Sequence, residues 1–286
     1  MSKVNINNKK TWTEEEDNLL KENYSKTNIE QIEKIIPNRT KSAIQQRAKK
    51  LGLKYLYYNK DYFSQIDNAE KAYWLGFIYA DGYISSQDRF GIELSILDFN
   101  HLQKFANALD SNIRIKTRTR NNREFCNITI KNSKIHNDLI NKGVFFNKTK
   151  NMHFPTKEQL PEKYNKDFIR GFFDGDGCYL LHQHTQKQKY KDSFCECLVY
   201  AREINVVCLS EEFLVAIQKI LKENADCDSK IYIQKRNDRN CLDLSVLRIM
   251  KKNDIIKFIN YVFYKDCVCL DRKEKIAKEL LENCLA

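Results

Sequence analysis

The sequence predicts an α+β chain in which a small three-helix domain precedes two pseudo-symmetric αββαββα repeats. Three observations carry this. The run Trp74-Leu75-Gly76-Phe77-Ile78-Tyr79-Ala80-Asp81-Gly82 is echoed by Ile169-Arg170-Gly171-Phe172-Phe173-Asp174-Gly175-Asp176-Gly177; each is a helical stretch with small residues four apart that ends in Asp-Gly. The copies lie 95 residues apart (176 − 81 = 95), and the same succession of helical and strand periods follows each, as a tandem unit requires. Ahead of them, residues 11–54 hold three short helical patterns with their own start and stop signals.

In the first unit, Thr11 or Thr13 caps a helix whose first turn carries Glu14, Glu15, Glu16 and Asp17, where acids favour the helix dipole. Trp12, Leu19, Leu20 and Tyr24 form its apolar side. Ile29, Ile32, Ile35 and Ile36 make a second helix, broken at Pro37-Asn38. Thr40 caps a third, stopped by Gly52. Its inner face is Ile44, Ala48 and Leu51; its outer face is Lys41, Ser42, Gln45, Gln46 and Lys49, a surface suited to a DNA major groove. Residues 55–68 read as an aromatic linker whose rings dock on the domain that follows.

Repeat one spans 69–160. The expected order is the motif helix, strands over 83–87 and 90–97, a helix over 100–109, strands over 112–120 and 124–131, and a helix over 133–142. Repeat two spans 161–286: the motif helix, strands near 178–185 and 196–207, a helix over 211–224, strands over 230–236 and 241–247, and helices over 253–261 and 272–283. Period-2 alternation puts Asn112, Arg114, Lys116, Arg118 and Arg120 on one face of their strand, opposite Ile113 and Ile115. Asn127, Thr129 and Lys131 alternate with Cys126, Ile128 and Ile130. Lys230, Tyr232, Gln234 and Arg236 repeat the pattern opposite Ile231 and Ile233. An ordinary solvated face mixes acids with bases; these third-strand faces have no acid, so they predict a nucleic-acid-facing sheet. His182 and His184 have outward parity and are expected to contact DNA.

The whole chain agrees. Its 286 residues carry a formal charge of +11 and a pI of about 9.0, a balance that suits a polyanion. No apolar run reaches about 18 residues and the start has no apolar signal core, so neither membrane nor secretion is expected, and the location is intracellular. Ten cysteines are read as reduced, mostly buried small residues; the C-x-C pairs Cys195/Cys197 and Cys267/Cys269 lack zinc-ribbon spacing.

The motif ends are electrostatically awkward. A carboxylate at a helix C-terminus opposes the macrodipole. Small residues at Gly76, Ala80, Gly171 and Gly175 let the two helices approach, bringing Asp81 and Asp176 together. Like charges beside two negative helix ends call for a cation, so a divalent metal site at a pseudo-twofold axis is expected.

These two stretches resemble the signature of the LAGLIDADG homing endonucleases in their two-motif, single-chain form, over roughly residues 69–283. Gly76, Ala80, Asp81 and Gly82 match in the first copy; Gly171, Asp174, Asp176 and Gly177 match in the second, with Gly175 in the alanine place. Tyr79 replaces the motif's earlier aspartate, which Asp174 keeps. The segment from Thr11 to Asp17 is similar to the opening of Myb/SANT-like helix-turn-helix modules, although the later family tryptophans are absent.

The resemblance implies a DNA-binding saddle of antiparallel sheets and a monomeric, site-specific double-strand DNA endonuclease. It implies a long, weakly palindromic target and no obligate protein partner. Asp81 and Asp176 would hold Mg²⁺, with Mn²⁺ able to substitute, and the carbonyls of Ala80 and Gly175 would complete the shell. It further implies a catalytic basic residue near the scissile phosphate, after the third helix of each repeat: Lys148 and Lys273, with Lys150 and Arg272 as substitutes, steadying the developing charge or orienting the attacking water. The alternative functions on this scaffold are a maturase and a non-cleaving DNA-binding regulator. The endonuclease part of an intein fits less well, since the splicing terminus is missing.

Overall fold

The computed structural model describes residues 11–24, 26–27, 29–53, 57–146, 152–190, 193–235 and 242–285. They fall into two compact units, Met1–Asn59 with Ala106–Arg114, and Lys60–Phe105 with Ile115–Ala286.

In the first unit, α1 (Glu14–Asn23), α2 (Ile29–Ile35) and α3 (Lys41–Lys50) enclose a small core of Leu20, Tyr24, Ile29, Ile32, Ile36, Ile44 and Ala48. Thr13 starts α1 through a full capping box with Glu16, and Thr40 caps α3 by accepting from the Ala43 amide. Gly52 takes φ +69° after α3, the left-handed stop a glycine provides. Two acids of the first turn have a second use: Glu16 pairs with Arg39 and Asp17 with Arg47, and both guanidinium groups lie over the Trp12 ring, at 4.6 and 5.8 Å. Leu19, expected on the apolar side, is exposed.

The second unit is built twice over. In the first repeat α4 (Ala69–Asp81) leads into β1 (Gly82–Ser85) and β2 (Arg89–Ser95), then α5 (Phe99–Ala108), β3 (Lys116–Arg120), β4 (Arg123–Lys131) and α6 (Ser133–Asn141). In the second, α7 (Asn165–Asp176) leads into β5 (Gly177–Tyr190), β6 (Ser193–Cys208), α8 (Glu211–Ala225), β7 (Lys230–Gln234), β8 (Leu244–Ile249), α9 (Lys252–Val262) and α10 (Asp271–Leu285). Both sheets are four-stranded and antiparallel, in the orders β1-β2-β4-β3 and β5-β6-β8-β7. Identical order in both halves is the internal symmetry the motif spacing predicted.

Helices α4 and α7 pack on each other, with α4 against β1 and β2 and α7 against β5 and β6. A helix covered on several sides is apolar all round, and α4 is buried at every residue from Ala72 to Tyr79. The linker rings Tyr62 and Phe63 are buried. The described cysteines are free thiols, most of them buried. Among the described residues no helix is long and apolar enough to cross a membrane.

Three expectations are corrected. The strand expected over 112–120 begins at Lys116, so Arg114 lies in the loop before it. The reason is local: the Asn112 amide donates to the Tyr57 carbonyl at 3.1 Å and its side chain accepts from the Tyr57 amide at 2.8 Å, which ties this stretch to residue 57 rather than to β4. The strand ends at Asn121-Asn122, both at positive φ, as a tight hairpin turn requires. Ile233, expected to face inward, is half exposed, because β7 is an edge strand. The strands expected near 178–185 and 196–207 are longer, forming a paired ribbon of 14 and 16 residues.

Candidate metal centre and nucleic-acid interface

The helix seam is set by glycine. A Cβ on Gly76 would lie 2.0 Å from the Phe168 carbonyl oxygen, and one on Gly171 would lie 2.0 Å from that of Tyr73. These contacts are pseudo-twofold mates, since 168 − 73 and 171 − 76 both equal 95. Further along, a Cβ on Gly175 would sit 2.3 Å from Ala80 Cβ and 3.3 Å from Asp81 Oδ2. The seam admits one methyl at this level, and Ala80 supplies it. The same contact sets the Asp81 carboxylate against the residue that precedes Asp176. Asp81 is partly exposed and Asp176 exposed, so both acids reach solvent where α4 and α7 end.

Lys273, near the start of α10, is buried and donates from Nζ to the carbonyls of Phe173 (2.9 Å), Gly175 (2.8 Å) and Gly177 (2.7 Å). An ammonium has three hydrogens, and all three terminate α7, where the dipole favours a cation. Burial pulls this group down to about 8, against the pull of Asp174, Asp81 and Asp176, whose charges favour the ammonium. The Gly175 carbonyl, expected at a metal, thus accepts from Lys273. Arg272 pairs with Asp98 instead, at 2.9 Å. Lys148, Lys150 and Arg236 lie outside the described residues.

The motif's earlier acid has a different environment. Asp174 is fully buried. Its Oδ2 accepts from Tyr73 Oη and from the Leu270 amide, each at 2.7 Å, while Oδ1 has no hydrogen-bond partner. Burial pushes the carboxyl up to about 6. Tyr73 Oη also lies 3.0 Å from His101 Nε2. Because the phenol donates to Asp174, His101 must donate from Nε2; its Nδ1 is buried without a partner, and burial pulls the imidazole down to about 3. Beside this chain, Arg170 is 1% exposed, pairs with Asp167 at 2.8 Å and donates to the carbonyls of Val262 and Val268. Repeat one has Ala72, Leu75 and Tyr79 at the places of Asp167, Arg170 and Asp174. The acids and the arginine of this network therefore come from the second repeat alone, and they dock the chain from Val262 to Leu270 on α7. Sequence reading missed it because its partners lie about a hundred residues apart.

Parity assigns the open faces of the sheets. In the first, Lys116, Arg118, Arg120 and Lys131 are exposed and Asn127 is partly so, opposite buried Cys126, Ile128 and Ile130. Arg120 stands over the Phe125 ring at 5.2 Å. In the second, Lys230, Tyr232 and Gln234 are exposed; His182 and His184 share that face, their rings 6.0 Å apart and nearly parallel. Each face also has one acid that pairs with an arginine: Glu93 with Arg118, Glu203 with Arg248. In the first unit Lys41, Ser42, Gln45, Gln46 and Lys49 are exposed along α3.

Two helix-led repeats joined through glycine-bearing helices that end in Asp-Gly constitute the LAGLIDADG fold. Residues 163–262, within the second repeat, match the family model of the LAGLIDADG-like domain. No curated protein sequence matches the chain. Similar solved structures include full-length DUF199/WhiA from Thermatoga maritima, at 18% identity over 77% of this chain and 64% of that one, TM-score 0.43. The meganuclease I-SmaMI bound to uncleavable DNA is similar at 13% identity over 76% and 89%, TM-score 0.47. I-DmoI in complex with DNA and Ca is similar at 15% identity over 78% and 99%, TM-score 0.44. The chain spans 64% of the length of the first of these.

Proposed function

We propose that the chain is a site-specific double-strand DNA endonuclease that uses Mg²⁺. One observation carries the reading: the helices α4 and α7, which end in Asp81 and Asp176, pack on each other at a glycine seam, in a molecule whose two sheets each present a cationic open face. The LAGLIDADG-like match over residues 163–262 supports it.

The donor set fits a hard cation. Asp81 and Asp176 offer carboxylate oxygens, and Mg²⁺ is typically held by one or two carboxylates together with waters and phosphate oxygens. Bound there, it would supply Lewis acidity and an activated water for in-line hydrolysis of a phosphodiester. The protein's own part is positioning. Lys273 fixes the α7 terminus and hence the backbone of Asp176. Lys116, Arg120, Lys131 and Lys230 neutralise phosphates, which makes binding fall steeply with salt. The face of α3 adds a second DNA contact of helix-turn-helix type, coupled through the tether. The protein acts as an intracellular monomer.

The experiment is cleavage of a randomised duplex pool in Mg²⁺, with EDTA as control and the ends mapped. Wild type is expected to cut a defined subset. Asp81→Asn and Asp176→Asn are each expected to lose cleavage of at least one strand and keep DNA binding. Normal cutting by Asp176→Asn would overturn the assignment. Binding without cutting by wild type would favour a non-cleaving regulator.

A further inference from the structure

A built site lies on the open face of the second sheet. Asn205, Arg248 and Lys230 stand on one rung across β6, β8 and β7. Glu203 is two residues before Asn205 and so shares its face. Its Oε1 accepts from Arg248 Nε and from Asn205 Nδ2, each at 2.7 Å, and its Oε2 accepts from Arg248 Nη2. The guanidinium carbon is 5.7 Å from the centre of the Tyr232 ring. Glu203, Asn205, Arg248 and Tyr232, with Val207, Val246 and Gln234, line an open cavity of about 390 Å³.

The carboxylate engages the side edge of the guanidinium, Nε–H and one Nη2–H. Arginine has five N–H donors, so three remain, and one on Nη1 with one on Nη2 forms its end-on fork. That fork matches two adjacent acceptors. In a DNA major groove, guanine presents such a pair, O6 and N7, whereas adenine sets an amino donor beside N7. The charge balance separates a base from a phosphate. Glu203 offsets the charge of Arg248, which weakens the site for an anion and leaves it suited to a neutral base edge. Holding the side chain in place also lowers the ordering cost of binding.

We propose that Arg248, held by Glu203, which Asn205 in turn braces, is a guanine-reading site for duplex DNA. The proposal rests on the DNA-binding function above and adds a residue that strand-three patterning does not reveal. Glu203 acts through Arg248 as a positioning residue.

The test is selection of bound duplexes from a randomised pool by the full-length chain without Mg²⁺, followed by titration of the selected duplex and its single-base variants. Wild type is expected to require guanine at one position attributable to Arg248. Arg248→Ala is expected to weaken the guanine duplex about tenfold to a hundredfold and to change the other three by less than about threefold, erasing preference at that position alone. Arg248→Lys keeps the charge without the fork and is expected to lose the same preference. Glu203→Gln is expected to weaken the preference while total binding holds or rises. Thermal melts confirm that each variant folds. Uniform weakening over all bases, the mark of a phosphate contact, or an unchanged selected sequence, would overturn the proposal. Failure of wild type to enrich any duplex would overturn the DNA-binding function itself, before any variant is compared.

Discussion

Tyr73 and Asp174 are joined across the helix seam by a 2.7 Å hydrogen bond, whereas the pseudo-equivalent pair, Phe168 and Tyr79, meets as two rings with centroids 5.0 Å apart. The difference confines a buried seam carboxyl to the second repeat, and its ionisation bears on stability.

Asp174 should make the protein less stable as pH rises from about 4 to 6. Its folded-state pKa, about 6, lies above the usual 3.8. The folded state holds the proton more tightly, so the stability this gives is complete below 3.8 and lost as pH passes through 6. Asp174→Asn keeps an oxygen for Tyr73 and Leu270 and removes the charge. It is expected to be more stable than wild type at pH 7 by up to about 3 kcal/mol, with the gain shrinking towards pH 4. Urea melts across that range check it.

His101 should act with the opposite sign. Its folded pKa, about 3, is below the usual 6.5. Its contribution is complete above 6.5 and is lost as pH falls, at about 1.4 kcal/mol per unit. His101→Gln preserves a donor for Tyr73 and is expected to flatten this acid limb. The two slopes oppose each other between pH 4 and 6, so the single variants are needed to separate them.

Gly175→Ala places a methyl 2.3 Å from Ala80 Cβ. Overpacking of this kind is expected to cost about 1–3 kcal/mol. Since the seam holds one methyl at this level, Ala80→Gly combined with Gly175→Ala should recover most of the loss. A double-mutant cycle on thermal melts measures it, and additive losses would show that the seam does not behave as a shared space.

Lys273→Met removes three hydrogen bonds and leaves buried carbonyls at the end of α7. A loss of about 2–4 kcal/mol is expected, together with faster amide exchange at residues 176–178. Lys273→Arg should not rescue it, because the wider guanidinium does not fit three convergent carbonyls.

Much of the scaffold was legible in the sequence because its signals are local. The Asp-Gly helices, the cap at Thr13, the stop at Gly52 and the basic parity of 116–120 and 230–234 each depend on neighbours within a turn or a strand. What escaped depends on distance along the chain. Glu203 meets Arg248 only because β6 pairs with β8, and Lys273 reaches Gly175 only because α10 folds back on α7. The loop at Arg114 escaped because Asn112 is tied to Tyr57 and not to its expected strand partner. The paired ribbon of β5 and β6 ran past its expected ends because polar residues on an open strand look like loop.

The exchange of Tyr73–Asp174 for Phe168–Tyr79 also decides which halves can mate. Two copies of the second repeat would set Phe168 against Asp174 and strand the acid without its hydroxyl donor. The same copies would crowd two lone carboxyls into one joint. Separately expressed halves should therefore choose the unlike partner, and the fused order of the chain is recorded in the seam's chemistry as well as in its covalent link.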